Sequence, residues 1–198
     1  MQCPKCQGEI AGDARFCSAC GEPLNADTET EAAPMRWSRH SARWRRRVTA
    51  VFADVVGSTP LAERVGEEVL YNIMAEIIAD MSAAVTDHGG TIEKLTGDGL
   101  MALFGAPLAV EDAPLNACRA GLDILARIDA KGRAIEAEHG ERPEVRIGVN
   151  SGYAVVGALG GALQQEVTAL GDSVNVAARL EGLAAPGTMV VGEATYQL

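Results

Sequence analysis

Two aspartates, a glycine–hydroxyl turn and an asparagine–arginine pair are the residues here whose types and spacing could do chemistry. Asp54 lies in the run FADVVGST and Asp98 in EKLTGDGLMALFG. Alone, each aspartate reads as a cap or a turn residue. Together, with no fixed cation expected nearby, they are hard oxygen donors of the kind that hold Mg2+ or Mn2+. Gly57-Ser58-Thr59 closes the first run and opens a helix, where free backbone N–H groups attract phosphate. Metals beside a phosphate cradle point to phosphoryl transfer. A third run, VTALGDSVNVAARLE over residues 167–181, sets Asn175 and Arg179 four residues apart on one helix face. An arginine on a helix otherwise lined with Val and Ala is suited to stabilise charge developing on phosphate.

A second chemistry stands at the N-terminus. Cys3-x2-Cys6 and Cys17-x2-Cys20 are two knuckles separated by ten residues. A C-x2-C turn delivers two thiolates to one metal, and zinc takes four in a tetrahedron. Gly8 and Gly21 lie just past the knuckles, where tight turns are needed. Paired disulfides or a redox C-x-x-C are the other readings of such spacing. In a chain expected to be cytosolic, the doubled motif favours one structural Zn2+. Such an ion folds a segment too short to hold a core of its own. The fifth cysteine, Cys118, reads as a small core residue on an apolar helix face.

These residues need elements to position them. VTAVFADVV (48–56) is β-branched and apolar, as a buried strand should be. Ser58 or Thr59 is expected to cap a short helix with Pro60 in its first turn. Val69, Ile73, Ile77, Met81 and Val85 recur at helical spacing over 67–87, and His88-Gly89-Gly90 ends that helix. TIEKL and LMALFG read as strands joined by a Thr96-Gly97-Asp98-Gly99 hairpin turn. Residues 111–139 read as a helix with Leu115, Cys118, Leu122, Leu125 and Ile128 inward. VRIGVNSG (145–152) is a strand that YAVVGALG continues. Asp172 or Ser173 is expected to cap a helix through Leu183, followed by a TMVV strand and a helix from near Gly192. The order is an α+β, ferredoxin-like β-α-β-β-α-β core with additions. Three regions result: a zinc ribbon over 1–24, an acidic then basic linker over 25–46, and the core over 47–198.

The 198 residues allow one full domain with a small appendage. The net charge of −10 makes a nucleic-acid partner a poor fit, since such binding neutralises phosphates with Lys and Arg. Arg36, Arg39, Arg43, Arg45, Arg46 and Arg47 fall together without an acid among them. That run reads as a solvated linker rather than a lipid or nucleotide patch. No apolar run reaches transmembrane length, and the cysteine-led N-terminus lacks a signal region, so a cytoplasmic protein is expected.

FADVVGST, EKLTGDG, RIGVNSG and GDSVNVAARLE resemble the ordered motif set of class III adenylyl and guanylyl cyclases, across roughly residues 47–198. The resemblance implies conversion of ATP to cyclic AMP and pyrophosphate, with two Mg2+ or Mn2+ per site on Asp54 and Asp98. Lys94 and Thr168 would read the purine, Asn175 would position the ribose, and Arg179 would stabilise the transition state. It implies a homodimer in which one chain supplies the aspartates and the other Lys94, Thr168, Asn175 and Arg179. The zinc knuckles ahead of this region resemble the front end of large bacterial cyclase proteins, and the ribbon's own partner is not named by the sequence. Two positions depart from the pattern. Tyr153 stands where many members carry Arg, and the family domain runs further, to a late strand with a phosphate-binding Lys, so the domain is read as C-terminally incomplete. A guanylyl cyclase is the first alternative and a catalytically silent dimerising or nucleotide-sensing domain the second. A zinc-ribbon interaction module with a passive partner domain is the third. No GGDEF-like run, P-loop, H-E-x-x-H or serine elbow is present.

Overall fold

The computed structural model describes Gly8, residues 44–159 and residues 166–198. The four cysteines assigned to zinc, and most of the linker, lie outside the described residues.

The central strand β1 (Trp44–Val56) is buried on both sides from Val48 to Val55, which is why that stretch is largely apolar. Val51, Ala53 and Val55 turn to one face, and Val48, Ala50 and the half-buried Phe52 to the other. The strand starts at Trp44, so Arg45, Arg46 and Arg47 are strand residues and not linker. Pairing with Tyr153–Val155 holds them there, Arg46 donates to the Pro107 carbonyl at 2.6 Å, and Arg45 and Arg47 stack on the Tyr153 ring.

Helices α1 (Ser58–Val65) and α2 (Glu67–Asp87) follow, then β2 (Thr91–Leu95), β3 (Gly99–Phe104), α3 (Ala113–His139) and β4 (Glu144–Leu159). Hydrogen bonding orders these strands β2-β3-β1-β4, with every neighbour antiparallel, as the β-α-β-β-α-β pattern predicts. β5 (Glu166–Leu170) pairs with the far half of β4. Beyond it come α4 (Asp172–Leu183), β6 (Met189–Val191), which runs parallel to β4, and the single turn α5 (Glu193–Tyr196).

One face of the sheet is covered by α2 and α3, through Met74, Ile77, Met81, Ala84 and Val85 and through Ala117, Ala120, Ile124 and Ile128. The expected α2 stripe holds from Ile73 through Val85, and on α3 Cys118, Leu125 and Ile128 pack inward as well. Val69, Leu115 and Leu122 are exposed. Beside Ile124 and Ile128, small residues take the closest part of the packed face of α3: a Cβ on Gly121 would collide with the Met189 sulfur. The opposite face is covered by α4 and β5, where Val48, Ala50, Leu103, Ala154, Val156, Ala169, Val174 and Ala177 form a second core.

Two further expectations are corrected. The helix-capping residues are Gly57, with φ of 89°, and Gly171, and neither helix has a side-chain cap. Ser58, Thr59 and Asp172 lie inside their helices, and the Ser173 hydroxyl donates to the Tyr153 carbonyl. Among the described residues one helix, α2, is long and apolar enough by composition to cross a membrane, contrary to the expectation of none. Its inward side chains are packed against the sheet.

Candidate active site

β-Register decides where the aspartates meet. Asp54 stands opposite Gly99 on β3 and opposite Arg146 on β4. The hairpin turn before Gly99 is closed by the Thr96 N–H on the Gly99 carbonyl at 2.9 Å. The Val55 N–H then donates to the Asp98 carbonyl at 2.8 Å, fixing Asp98 beside Asp54 at one end of the sheet. Gly99 is needed at this crossing, because a Cβ there would collide with the Ala53 carbonyl oxygen.

The charge at this end is not carried by the aspartates alone: contrary to the expectation of none, a fixed cation stands beside Asp54. Arg146 donates from its terminal nitrogen to Asp54 Oδ2 at 2.8 Å. Its Nε stands 2.5 Å from Glu181 Oε1. That second contact is an ion pair by distance, but its angles are not those of a hydrogen bond, so both buried atoms are without one. Burial pushes the Glu181 carboxyl above the usual carboxylate range; Arg146 pulls it down, and Asp54 and Asp98 push it up. The hydrogen bond to Asp54 in turn strengthens the hold of Arg146 on its proton. Three carboxylates and one guanidinium thus share one field. Neither Arg146 nor Glu181 was singled out from sequence. The signal was Arg146, the lone charge in the run VRIGVNSGYAVV, since an arginine there needs a carboxylate.

Helix α4 reaches this end by close approach to β4. A Cβ on Gly148 would collide with Ala177 O and Glu181 N, and one on Gly152 would sit 2.6 Å from Ser173 Cβ. Asn150, between the two glycines on the same side of the strand, donates to the Ser173 carbonyl at 3.0 Å. Glu181 faces the strand, with its side chain 15% exposed. Asn175 and Arg179 are exposed on α4. Arg179 and Glu181 are two residues apart, which on an α-helix is a turn of about 200°. Arg179 is therefore directed away from the carboxylates of its own chain.

Lys94 and Thr168, the two positions expected to read the purine, lie on strands at the two ends of the hydrogen-bonded order, yet they approach each other. The register shifts between Ile92 and Lys94, so Lys94 stands opposite Met101. From that bulge the Glu93 carboxylate accepts the Ala169 N–H at 3.2 Å. Lys94 and Thr168 are the chain neighbours of the two residues so joined, which brings β2 to β5 over the face carrying Phe52 and Met101. Lys94 is exposed. Tyr153, the departing position, pairs with Arg47, seven residues along β1 from Asp54. That is about 23 Å away along the strand.

Asp54 and Asp98 fit a hard divalent cation. Both offer carboxylate oxygens, and the Asp54 side chain is 26% exposed and already bound to a positive group. Among the described residues no three His, Cys, Asp or Glu side chains converge on one point. That suits Mg2+ or Mn2+, which commonly take one or two carboxylates and complete their shell with water and substrate phosphates.

The family model "Adenylate and Guanylate cyclase catalytic domain" matches residues 41–198. Adenylate cyclase 1 of Rhizobium meliloti (strain 1021) is 37% identical over 142 residues, which are 72% of this chain and 21% of that protein. The chain thus spans about a fifth of that relative's length. The adenylyl cyclase CyaB from P. aeruginosa superposes with a TM-score of 0.75 at 29% identity, over 79% of this chain and 81% of that one. The guanylyl cyclase Cya2 superposes with a TM-score of 0.73 at 28% identity, over 78% and 79% of the two chains.

Proposed function

This chain belongs to the adenylate and guanylate cyclase catalytic domain family, and from that premise we propose that it is an adenylyl cyclase working as a homodimer. In the proposed reaction the ribose 3′-oxygen of ATP attacks the α-phosphorus. The new P–O bond closes cyclic AMP, the bond to the β-phosphate breaks, and pyrophosphate leaves while the hydroxyl proton passes to solvent. Two Mg2+ or Mn2+ ions bound by Asp54 and Asp98 would supply the positive charge that favours an ionised hydroxyl and a leaving pyrophosphate. The N–H groups of the Gly57-Ser58-Thr59 turn face phosphate at the start of α1. Asn175 orients the ribose and Arg179 takes up charge developing on the α-phosphate.

The observation that carries this reading is the opposed direction of Arg179 and Glu181 on α4. A helix whose far side bears Asn175 and Arg179 serves aspartates other than its own, so a second copy completes each site.

Base choice follows from hydrogen-bond chemistry. Lys94 donates to adenine N1 and the Thr168 hydroxyl accepts from N6. With guanine, the N1 and N2 donors would lack a carboxylate, and an unpaired buried polar group costs about 1–3 kcal/mol. We expect kcat/KM for ATP to exceed that for GTP by about 10- to 100-fold with Mn2+. Lys94→Glu combined with Thr168→Ala should erode that preference. Equal rates with both nucleotides in the unmutated chain would remove the base-reading role. No cyclic product from either would favour a silent nucleotide-sensing domain.

The reading also gives residues 1–24 one structural Zn2+ on Cys3, Cys6, Cys17 and Cys20. Metal analysis of the purified protein should find about one zinc per chain. Absence of zinc with the four thiols paired as disulfides would reject it.

A further inference from the structure

We propose that Glu181 is a positioning residue for the metal site of its own chain: it retains Arg146 when a cation takes Asp54. The inference rests on the cyclase reading above, which makes Asp54 a metal ligand. Arg146 has two anchors, Asp54 Oδ2 at 2.8 Å and Glu181 Oε1 at 2.5 Å. A divalent cation at Asp54 competes with the first anchor and leaves the second. Nε and Oε1 are both buried, and neither has a hydrogen bond to any other group, so the guanidinium turns on Glu181 instead of leaving for water. Glu181 also adds a negative charge that Asp98 and Asp54 both sense, and this draws the cation in. Without it, Arg146 would rest on Asp54 alone, and metal would have to displace a guanidinium with no other partner at hand.

The placement of Glu181 has a second consequence. α4 offers Asn175 and Arg179 on its exposed side and Glu181 on the side packed against Gly148. Under the two-chain reading, one helix therefore serves the nucleotide of one site and the aspartates of the other. The effect of Glu181 must follow the chain that supplies Asp54, and not the chain that supplies Asn175.

The test is Glu181→Gln in the full chain. Free Mn2+ is followed by electron paramagnetic resonance, with Asp54→Ala as the reference for binding elsewhere. Half-saturating Mn2+ should rise about tenfold, the scale of losing one nearby charge under partial screening. E181Q is then placed on either chain of a dimer mixed from Asp54→Ala and Asn175→Ala proteins. On the Asn175→Ala chain, which keeps Asp54, it should raise the Mn2+ needed for half-maximal activity by a similar factor. On the Asp54→Ala chain it should leave that concentration unchanged. Equal shifts in both placements, or Mn2+ binding by E181Q that matches the unmutated protein, would overturn the proposal. A mixed dimer with no activity would instead reject the two-chain reading, and the resonance titration would still decide the role of Glu181. Should E181Q not fold, E181D keeps the charge further from Nε and should shift Mn2+ binding about two- to threefold the same way; no shift there overturns the proposal equally.

Discussion

Asp54→Ala is expected to lower cyclase activity by about a thousandfold or more, on the scale of the several kcal/mol that metal ions contribute to such transition states. The fold should survive. Asp54 lies near the end of β1 with its side chain partly exposed, and Arg146 keeps Glu181 as its counter-ion. Asn175→Ala should be nearly as inactive for a different reason, loss of ribose orientation on exposed α4. Equal amounts of the two inactive proteins, allowed to exchange subunits, provide the informative measurement. Random pairing makes half of the dimers mixed, and each mixed dimer holds one intact site of two, so about a quarter of the unmutated activity should return. A mixture as inactive as its components, in dimers shown to have exchanged, would place all these residues in one chain's site.

Gly148→Ala should have a large effect for a single added methyl. The new Cβ would collide with Ala177 O and Glu181 N, both backbone atoms of α4, so no side-chain rotation relieves it. Overpacking of this kind costs about 1–3 kcal/mol. For a chain of this size that is a fall in Tm of about 2–12 °C. The activity loss should be larger than the stability loss suggests, because α4 must move off β4. A shift near 1 Å would displace Asn175, Arg179 and Glu181 together, and misplacement on that scale costs about a hundredfold. Gly182→Ala is the matched control on the same helix. Nothing lies within 4 Å of a Cβ there, so Tm should hold or rise slightly. Calorimetry and kcat/KM on the two variants should diverge. Equal, small effects would mean that the α4–β4 contact does not hold the site.

The strands and helices were legible because their apolar periods are strong. VTAVFADVV reads as a two-sided buried strand, and it is one. The face of α3 was less legible. Large apolar residues such as Leu115 and Leu122 suggested the inward stripe, while the packed face is built from Ala117, Ala120 and Gly121. A helix lying close on a sheet needs small side chains at the contact, and hydrophobic periodicity counts large and small apolar residues alike. Capping was misjudged for a related reason: the side-chain oxygens of Ser58 and Asp172 were the visible signal, whereas Gly57 and Gly171 make those turns with backbone alone.

By itself the sequence determined the reactive inventory: two aspartates in turn-forming contexts, an asparagine and an arginine one helical turn apart, and the motif order that marks the family. Those are local facts, fixed by residue type and by spacings of a few positions. Only the tertiary structure decided what each of them faces. Arg146 meets Asp54 from 92 positions away, and Glu93 meets Ala169 from 76. Strand register and the reach of a curled sheet set those pairings, and neither quantity is written in any short window of residues. The same holds for Glu181, whose role depends on glycines in another element that let α4 lie against β4.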